Sequence, residues 1–335
     1  MKFLVLLFLV SCTQVTSLNL RKHQFGIMPT KIIWFQVAGL EQEQIAMLRF
    51  NKSGEQRTSF EENLCVGSTW NYNLYNVRSS AASSFLSQIT GKKNIKESCE
   101  DAKLKPIWNY IYNNGYNTLI FESGANKGES LISLNECGDK KFLEPVYFYS
   151  RTTPPDGSLT YFHTEELPFN NGKVFYNRSC GKNDCGSSIL EDFRVMSEKM
   201  QRVSQKHLLI VRDFSFLHAL ENKDLKKARS ILADIERAYG EALSLTASND
   251  YLVLLTTGDS RYVEMPKQGK DWFTFEKEGK NADVKTRKLT NMVFASGARA
   301  ENFCGMYEEA QVFERILSGP KQQGLELKVI NPFRN

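Results

Sequence analysis

The chain has 335 residues, of which 41% are hydrophobic and 24% are charged, a composition that excludes disordered and fibrous proteins. Lys and Arg number 43 against 38 Asp and Glu, so the net charge is only +5, and this mixed charge gives no support to nucleic-acid binding. The chain has 4 histidines, a supply so small that it argues against a multi-histidine metal site.

The N-terminus has the pattern of an export signal. Met1-Lys2 precedes an apolar run over residues 3–10, which is shorter than the roughly 20 residues that a bilayer-spanning helix needs. The sequence Leu-Val-Ser-Cys over 9–12 resembles the bacterial lipobox, in which the cysteine becomes the lipidated first residue. We therefore predict a lipoprotein-type signal at 1–11, a lipid anchor on Cys12, a tether at 12–29 and attachment to a membrane of the cell envelope. Secretion after cleavage near Thr16-Ser17 is the alternative.

Four short apolar runs predict buried strands near 31–37, 117–122, 207–212 and 251–257. Between the last two runs, apolar residues over 225–242 recur with the helical period, which predicts a long amphipathic helix. Asn222 is its expected N-cap, and Asp224 falls in its first turn. A strand, a helix and a strand in this order imply parallel pairing. The predicted fold class is therefore α/β, with a mostly parallel central sheet flanked by helices in a single large domain over 30–335.

Two segments of this domain are interpreted as insertions. Residues 137–185 combine several Gly and Pro with three Cys, and residues 266–288 are rich in Lys, Asp and Glu, which is typical of a surface loop.

The cysteine count favours disulfides. Apart from Cys12, six cysteines remain, and an even number in an exported chain suits up to three bonds. Cys180 and Cys185 are the predicted local pair. A zinc site at this pair is the weaker interpretation, because the spacing and the absence of a nearby His do not suit it, and buried free thiols are the remaining alternative.

Six segments, in chain order, share a pattern with one enzyme family. The turn over 79–84 reads Ser-Ser-Ala-Ala-Ser-Ser, and the helix over 234–243 reads Asp-Ile-Glu-Arg-Ala-Tyr-Gly-Glu-Ala-Leu. The other segments are 31–50, 115–123, 257–261 and 294–303. Together they resemble the alkaline phosphatases, whose nucleophile turn is Asp-Ser-Ala-Ala-Thr-Ala and whose corresponding helix is Asp-Arg-Ala-Val-Gly-Glu-Ala-Leu. The resemblance implies an α/β scaffold in which two Zn²⁺ and one Mg²⁺ activate a serine nucleophile.

The resemblance fails at the positions of the family's metal ligands. Ala38 matches the first metal-binding Asp, and Ser79 matches the Asp before the nucleophile, whose own position is taken by Ser80. Arg212 matches a metal-binding Glu. The remaining matches to zinc ligands are Leu217 for an Asp, Glu221 for a His, Asp259 for a retained Asp, Ser260 for a His and Glu301 for the late His.

These replacements change what the site is expected to do. Asp259 and Glu301, with Glu221 as a third carboxylate, could hold at most one divalent cation. Arg212 is expected to bind an anion or to pair with Asp213, Asp259 or Glu301. Without a metal the Ser80 hydroxyl has no means of activation, so an N-cap at the start of a helix is its favoured role.

The leading hypothesis is an exported, membrane-anchored and catalytically degenerate alkaline phosphatase-like protein with a binding or envelope role. It needs no cofactor, and its partner would be a protein or an anionic ligand bound through Arg212. The alternative is a divergent metal-dependent phosphoesterase that uses Ser80 as nucleophile and one divalent cation.

Overall fold

The computed structural model describes residues 28–49, 57–137, 142–181 and 185–317. The predicted signal at 1–11, the anchor Cys12 and nearly all of the tether therefore lie outside the described residues.

A large sheet is the centre of the molecule, and helices cover it on both sides. The strands are β1 (Lys31–Ala38), β2 (Cys65–Trp70), β3 (Asn117–Ser123), β4 (Val146–Arg151), β5 (Leu159–Tyr161), β6 (Val174–Asn177), β7 (His207–Asp213), β8 (Tyr251–Gly258), β9 (Arg261–Glu264), β10 (Asp283–Arg287), β11 (Thr290–Gly297) and β12 (Gly305–Glu308). The α-helices are α1 (Ala46–Arg49), α2 (Ala81–Thr90), α3 (Ile107–Ile111), α4 (Leu131–Glu136), α5 (Ile189–Val203), α6 (Ser215–Glu221), α7 (Leu225–Ser244), α8 (Gly269–Glu278) and α9 (Gln311–Leu317). Short 3₁₀ helices cover Gln42–Ile45, Ser59–Glu61, Cys99–Lys103, Tyr112–Asn114, Leu245–Ala247 and Ala300–Phe303.

The main sheet has ten strands in the order β12-β2-β11-β8-β1-β7-β3-β4-β6-β5. The strand β11 runs antiparallel to both of its neighbours, and all other pairs in this sheet are parallel. The predicted α/β class with a mostly parallel central sheet is therefore confirmed. The four strands predicted from apolar runs are β1, β3, β7 and β8, which are adjacent in the middle of the sheet.

Apolar side chains alternate between the two faces of the sheet. In β1, Ile33 and Phe35 belong to the core cluster under α5 and α7, whereas Ile32 and Trp34 belong to the cluster on the face of α2 and α9. Strands buried on both faces read as continuous apolar runs, which explains why these four were visible in the sequence. Within the described ranges, no helix combines the length and apolar character required to cross a bilayer.

The long predicted helix is α7, but its N-cap differs from the prediction. The side chain of Asp224 accepts a hydrogen bond from the N–H of Lys227 at 2.9 Å and caps the helix. Asn222 instead ends the preceding helix α6 as its C-cap. The reason is that the short helix α6 lies between β7 and α7 in the chain, and the apolar pattern alone does not reveal it.

The two segments interpreted as insertions contain regular structure. Residues 137–185 supply β4, β5 and β6, which complete one end of the main sheet, so this segment is integral to the sheet. Residues 266–288 carry α8 and β10, and β10 pairs with β9 in a separate two-stranded sheet.

Two disulfides connect separate segments of the chain, and a third closes a short loop. The bonds are Cys65–Cys304, Cys99–Cys137 and Cys180–Cys185. The predicted pairing of Cys180 with Cys185 is confirmed.

Candidate functional site

The first turns of α2, the helix that follows the turn matched to the family's nucleophile turn, lie at the carboxyl end of β8. A Cβ added to Gly258 would approach Phe85 Cε1 to 2.9 Å and Ser84 Cβ to 3.0 Å, so glycine is needed for helix and strand to approach this closely. Ligands in α/β sheets bind at the carboxyl ends of parallel strands. The position of the helix therefore agrees with that of a functional site in this fold class.

Ser80 caps α2. Its backbone is extended, with φ −67° and ψ 165°, and its hydroxyl oxygen accepts a hydrogen bond from the N–H of Ser83 at 3.1 Å. The same hydroxyl donates to Glu97 Oε1 at 2.8 Å. The expected N-cap role is confirmed, because the side-chain oxygen satisfies a backbone donor that the helix itself leaves unpaired.

An apolar cluster occupies two positions that match metal ligands. Ala38 ends β1 and Leu217 lies in α6, and both pack with Phe85, Phe214 and Ala81 in one buried cluster. Ala38 is 0% exposed and Leu217 is 2% exposed. An ionised group in such a cluster would be strongly destabilising, so these positions now stabilise the packing of α2 and α6 against the sheet.

A guanidinium group holds the carboxylates at two other matched positions. The Nε of Arg261 lies 3.0 Å from Asp259 Oδ1, and its Nη2 donates to Asp259 Oδ2 at 3.2 Å and to Glu221 Oε1 at 2.5 Å. Side-chain exposure is 2% for Asp259 and 14% for Arg261. Arg261 therefore supplies the positive charge between two carboxylates that would otherwise repel each other.

Arg212 pairs with Glu122 inside the sheet. The two residues are in register on the neighbouring strands β7 and β3, and Nη1 of Arg212 lies 3.6 Å from Glu122 Oε2. Both side chains are almost completely buried. The expected partners were wrong: Asp213 is the next residue along the strand and faces the opposite side, where its carboxylate accepts hydrogen bonds from Ser215 and from the N–H of Phe216.

Burial dominates the electrostatics of this pair. It raises the pKa of Glu122, and the guanidinium of Arg212 and the hydroxyl of Ser130 oppose that change. It also lowers the pKa of Arg212, against the attraction of Glu122 and Glu129. The hydrogen bond to Glu129 at 3.0 Å raises the pKa of His218. Arg212, at a position that matches a metal ligand of the family, is thus a buried cation whose charge is balanced by Glu122.

Glu301 does not join the other matched residues. It lies in the 3₁₀ turn that follows β11, and Gly297 at the end of β11 is paired with Leu252 near the start of β8. Asp259 follows the opposite end of β8, seven residues further on, which is about 23 Å along an extended strand. Because β11 runs antiparallel to β8, its final residues and the turn after it lie at the amino edge of the sheet.

The residues present do not fit a zinc or magnesium cage. In the part of the chain that the structure describes, no group of three or more His, Cys, Asp and Glu side chains could hold a metal ion together. Ala38 and Leu217 offer no donor atom, and Arg261 carries a positive charge between Asp259 and Glu221. A dication at this point would meet a fixed cation.

The structure resembles solved alkaline phosphatases over most of its length. The enzyme from the Antarctic bacterium TAB5 matches with a TM-score of 0.65 and 15% identity, over 91% of this chain and 99% of that one. The enzyme from Shewanella sp. matches with a TM-score of 0.61 and 12% identity, over 86% and 98%. The fold is that of the alkaline phosphatases.

The alkaline phosphatase of Thermus thermophilus also matches, with a TM-score of 0.60 and 12% identity over 91% of this chain and 94% of that one. No protein-family model and no curated protein matches the sequence. At these identities the likeness establishes the alkaline phosphatase-like fold alone, so activity has to be argued from the site.

Three residues of the site were missed by the sequence analysis. Glu122 had a visible signal, since it is a charged residue inside a buried apolar run. Arg261 had a weaker signal, since it follows Asp259 by two residues. Glu97 reaches Ser80 from a loop 17 positions along the chain, and nothing in the local pattern indicates that contact.

Proposed function

We propose that this chain is a catalytically degenerate alkaline phosphatase-like protein that acts by binding. The observation that carries the proposal is that apolar side chains and an arginine lie where the family has its metal ions and their ligands. Leu217 and Ala38 lie in an apolar cluster, and Arg261 neutralises Asp259 and Glu221. Two Zn²⁺ about 3.5–4 Å apart would each need several ligands, which this arrangement does not supply.

Zinc analysis and a phosphatase assay test the proposal. The purified protein should contain far less than two equivalents of zinc and should not hydrolyse a chromogenic phosphate monoester above background. Ser80→Ala should leave that background unchanged, as should the matched variant Ser79→Ala. Two equivalents of bound zinc, or activity that disappears in Ser80→Ala but persists in Ser79→Ala, would overturn the non-catalytic assignment.

A divergent phosphoesterase is the second candidate, and one contact favours it. The Ser80 hydroxyl lies at the start of a helix and donates to the carboxylate of Glu97, an arrangement in which a carboxylate could accept the hydroxyl proton. This candidate predicts activity that depends on one added divalent cation and is lost in both Ser80→Ala and Glu97→Gln. A protein that is inactive both with and without added Mg²⁺ or Ca²⁺ would exclude this candidate.

We further propose that the protein is exported and attached to a membrane through Cys12. The export pattern over 1–11 supports this proposal, and the three disulfides are consistent with an oxidising compartment. Mass spectrometry of the mature N-terminus should find a lipidated Cys12, and Cys12→Ser should release the protein from the membrane fraction. An unmodified N-terminus near Leu18 would instead indicate secretion.

A further inference from the structure

A cavity of about 300 Å³ lies between α2, the loop over 95–101 and α4. This volume is at the lower end of the range typical of small-molecule sites. Its walls are largely apolar, and Leu86, Ile95 and Leu131 in the walls are also part of the core on this face of the sheet. The Cys99–Cys137 disulfide joins the loop to the end of α4 and forms another part of the wall.

Arg212 is a buried cationic group in the wall of this cavity. It is 1% exposed and lines the cavity. Among the described residues, its Nε and Nη1 have no hydrogen-bond acceptor, and its Nη2 has only a long contact of 3.5 Å to the backbone oxygen of Glu129. Buried N–H groups without acceptors are costly. An oxygen atom of a ligand in the cavity would remove that cost.

The charges around the cavity restrict which oxygen-bearing ligand fits. Glu122 already balances Arg212. Of the carboxylates that line the cavity, Asp101 accepts backbone N–H groups of its own loop, Glu129 is bonded to His218, and Glu97 accepts from Ser80. A phosphate dianion would meet these carboxylates with only one, already paired, guanidinium to attract it. A ligand with an apolar body and one acceptor group carries a single negative charge as a carboxylate and none as an ester, so it meets less of that repulsion than a dianion does.

We propose that this cavity binds a medium-length acyl chain whose carboxyl or carbonyl oxygen accepts hydrogen bonds from Arg212. The aliphatic chain would lie against Leu86, Ile95 and Leu131. The inference rests on the proposed binding function and names its ligand class. It also gives a role to a guanidinium in the interior, at a position that matches a metal-binding Glu of the family.

Calorimetric titration with hexanoic, octanoic and decanoic acids tests the proposal on the intact protein. Affinity should rise about fourfold for each added methylene, because each one removes apolar surface from water, until the cavity is filled. Arg212→Met should weaken binding of decanoic acid by at least about tenfold and leave the increment per methylene unchanged.

Because Arg212→Met leaves Glu122 buried beside a neutral side chain, a second pair of variants blocks the cavity without altering the ion pair. Ser133 lines the cavity on α4, and Glu136 lies on an exposed part of the same helix. Ser133→Trp should abolish binding, and Glu136→Trp should not change it.

The ester methyl decanoate tests whether the ligand is a free fatty acid or an esterified acyl group. Binding of the acid alone assigns a free fatty acid, and binding of both assigns an acyl group that is esterified in its natural source. No saturable binding of either compound, affinity independent of chain length, or unchanged affinity in Ser133→Trp would overturn the proposal. Such a failure leaves the non-catalytic assignment untouched, since zinc content and phosphatase activity test that separately.

Discussion

Glu309 gives a test of how burial acts on a polar network beneath α2. Its carboxylate is 4% exposed and accepts hydrogen bonds from Gln88 Nε2 at 3.0 Å and Asn291 Nδ2 at 2.8 Å. Burial raises the pKa of Glu309 from 4.5 to about 7, although these hydrogen bonds oppose the change. The folded protein therefore binds a proton here more tightly than the unfolded chain does.

The sign and size of the effect follow from this difference in pKa. Well below pH 4.5 the group is neutral in both the folded and the unfolded state, so it costs no stability. Above pH 7 the folded state must hold a buried carboxylate, and stability is lost progressively as the pH rises through this window. At about 1.4 kcal/mol per pH unit, the difference between 4.5 and 7 amounts to about 3 kcal/mol. Glu309→Gln keeps an acceptor oxygen and removes the charge.

Urea unfolding at about pH 5 and about pH 8 measures this difference. At each pH the unfolding free energy of Glu309→Gln is compared with that of wild type. This difference should be more favourable to the variant by about 2–3 kcal/mol at about pH 8 than at about pH 5. Each variant is compared with wild type at the same pH, because burial also lowers the pKa of His207 to about 4 and so removes stability as the pH falls. Glu308→Gln, at the half-buried neighbouring position, is the matched control. If the stability of Glu309→Gln relative to wild type is the same at both pH values, the reasoning is refuted.

Two further predictions concern the replaced metal positions. Leu217→Asp should destabilise the protein by more than the roughly 2–5 kcal/mol typical of Leu→Ala in a core, because it adds an ionisable group to the apolar cluster. Thermal unfolding of Leu217→Asp and of the control Leu217→Ala measures the two losses of stability. Equal losses would argue against a buried apolar site. Arg261→Met should cost about 2 kcal/mol in urea unfolding, because Asp259 and Glu221 lose a shared cation. The exposed control Lys267→Met should cost less than about 1 kcal/mol, and equal losses for the two variants would contradict the ion-pair assignment.

Part of the candidate site could be predicted from local sequence. The Ser80 N-cap followed from a strand-to-helix turn, and the Cys180–Cys185 bond followed from a short loop between two cysteines. Both depend on residues a few positions apart. The resemblance draws attention to Arg212, which matches a metal-binding Glu of the family. Its partner Glu122 is 90 positions away and is set by the register of β3 on β7.

The sequence by itself determined the class of the fold. The apolar runs of β1, β3, β7 and β8 and the periodic face of α7 specify which segments are strands and helices, because burial on both faces or on one face leaves a local pattern. Strand order and direction leave no such pattern. Only the tertiary structure decided that residues 137–185 complete the sheet and that β11 runs antiparallel to β8, which moves Glu301 to the opposite edge from Asp259. Long-range pairing between backbones sets that direction, so a match between short motifs could not locate the end of the sheet at which each side chain lies.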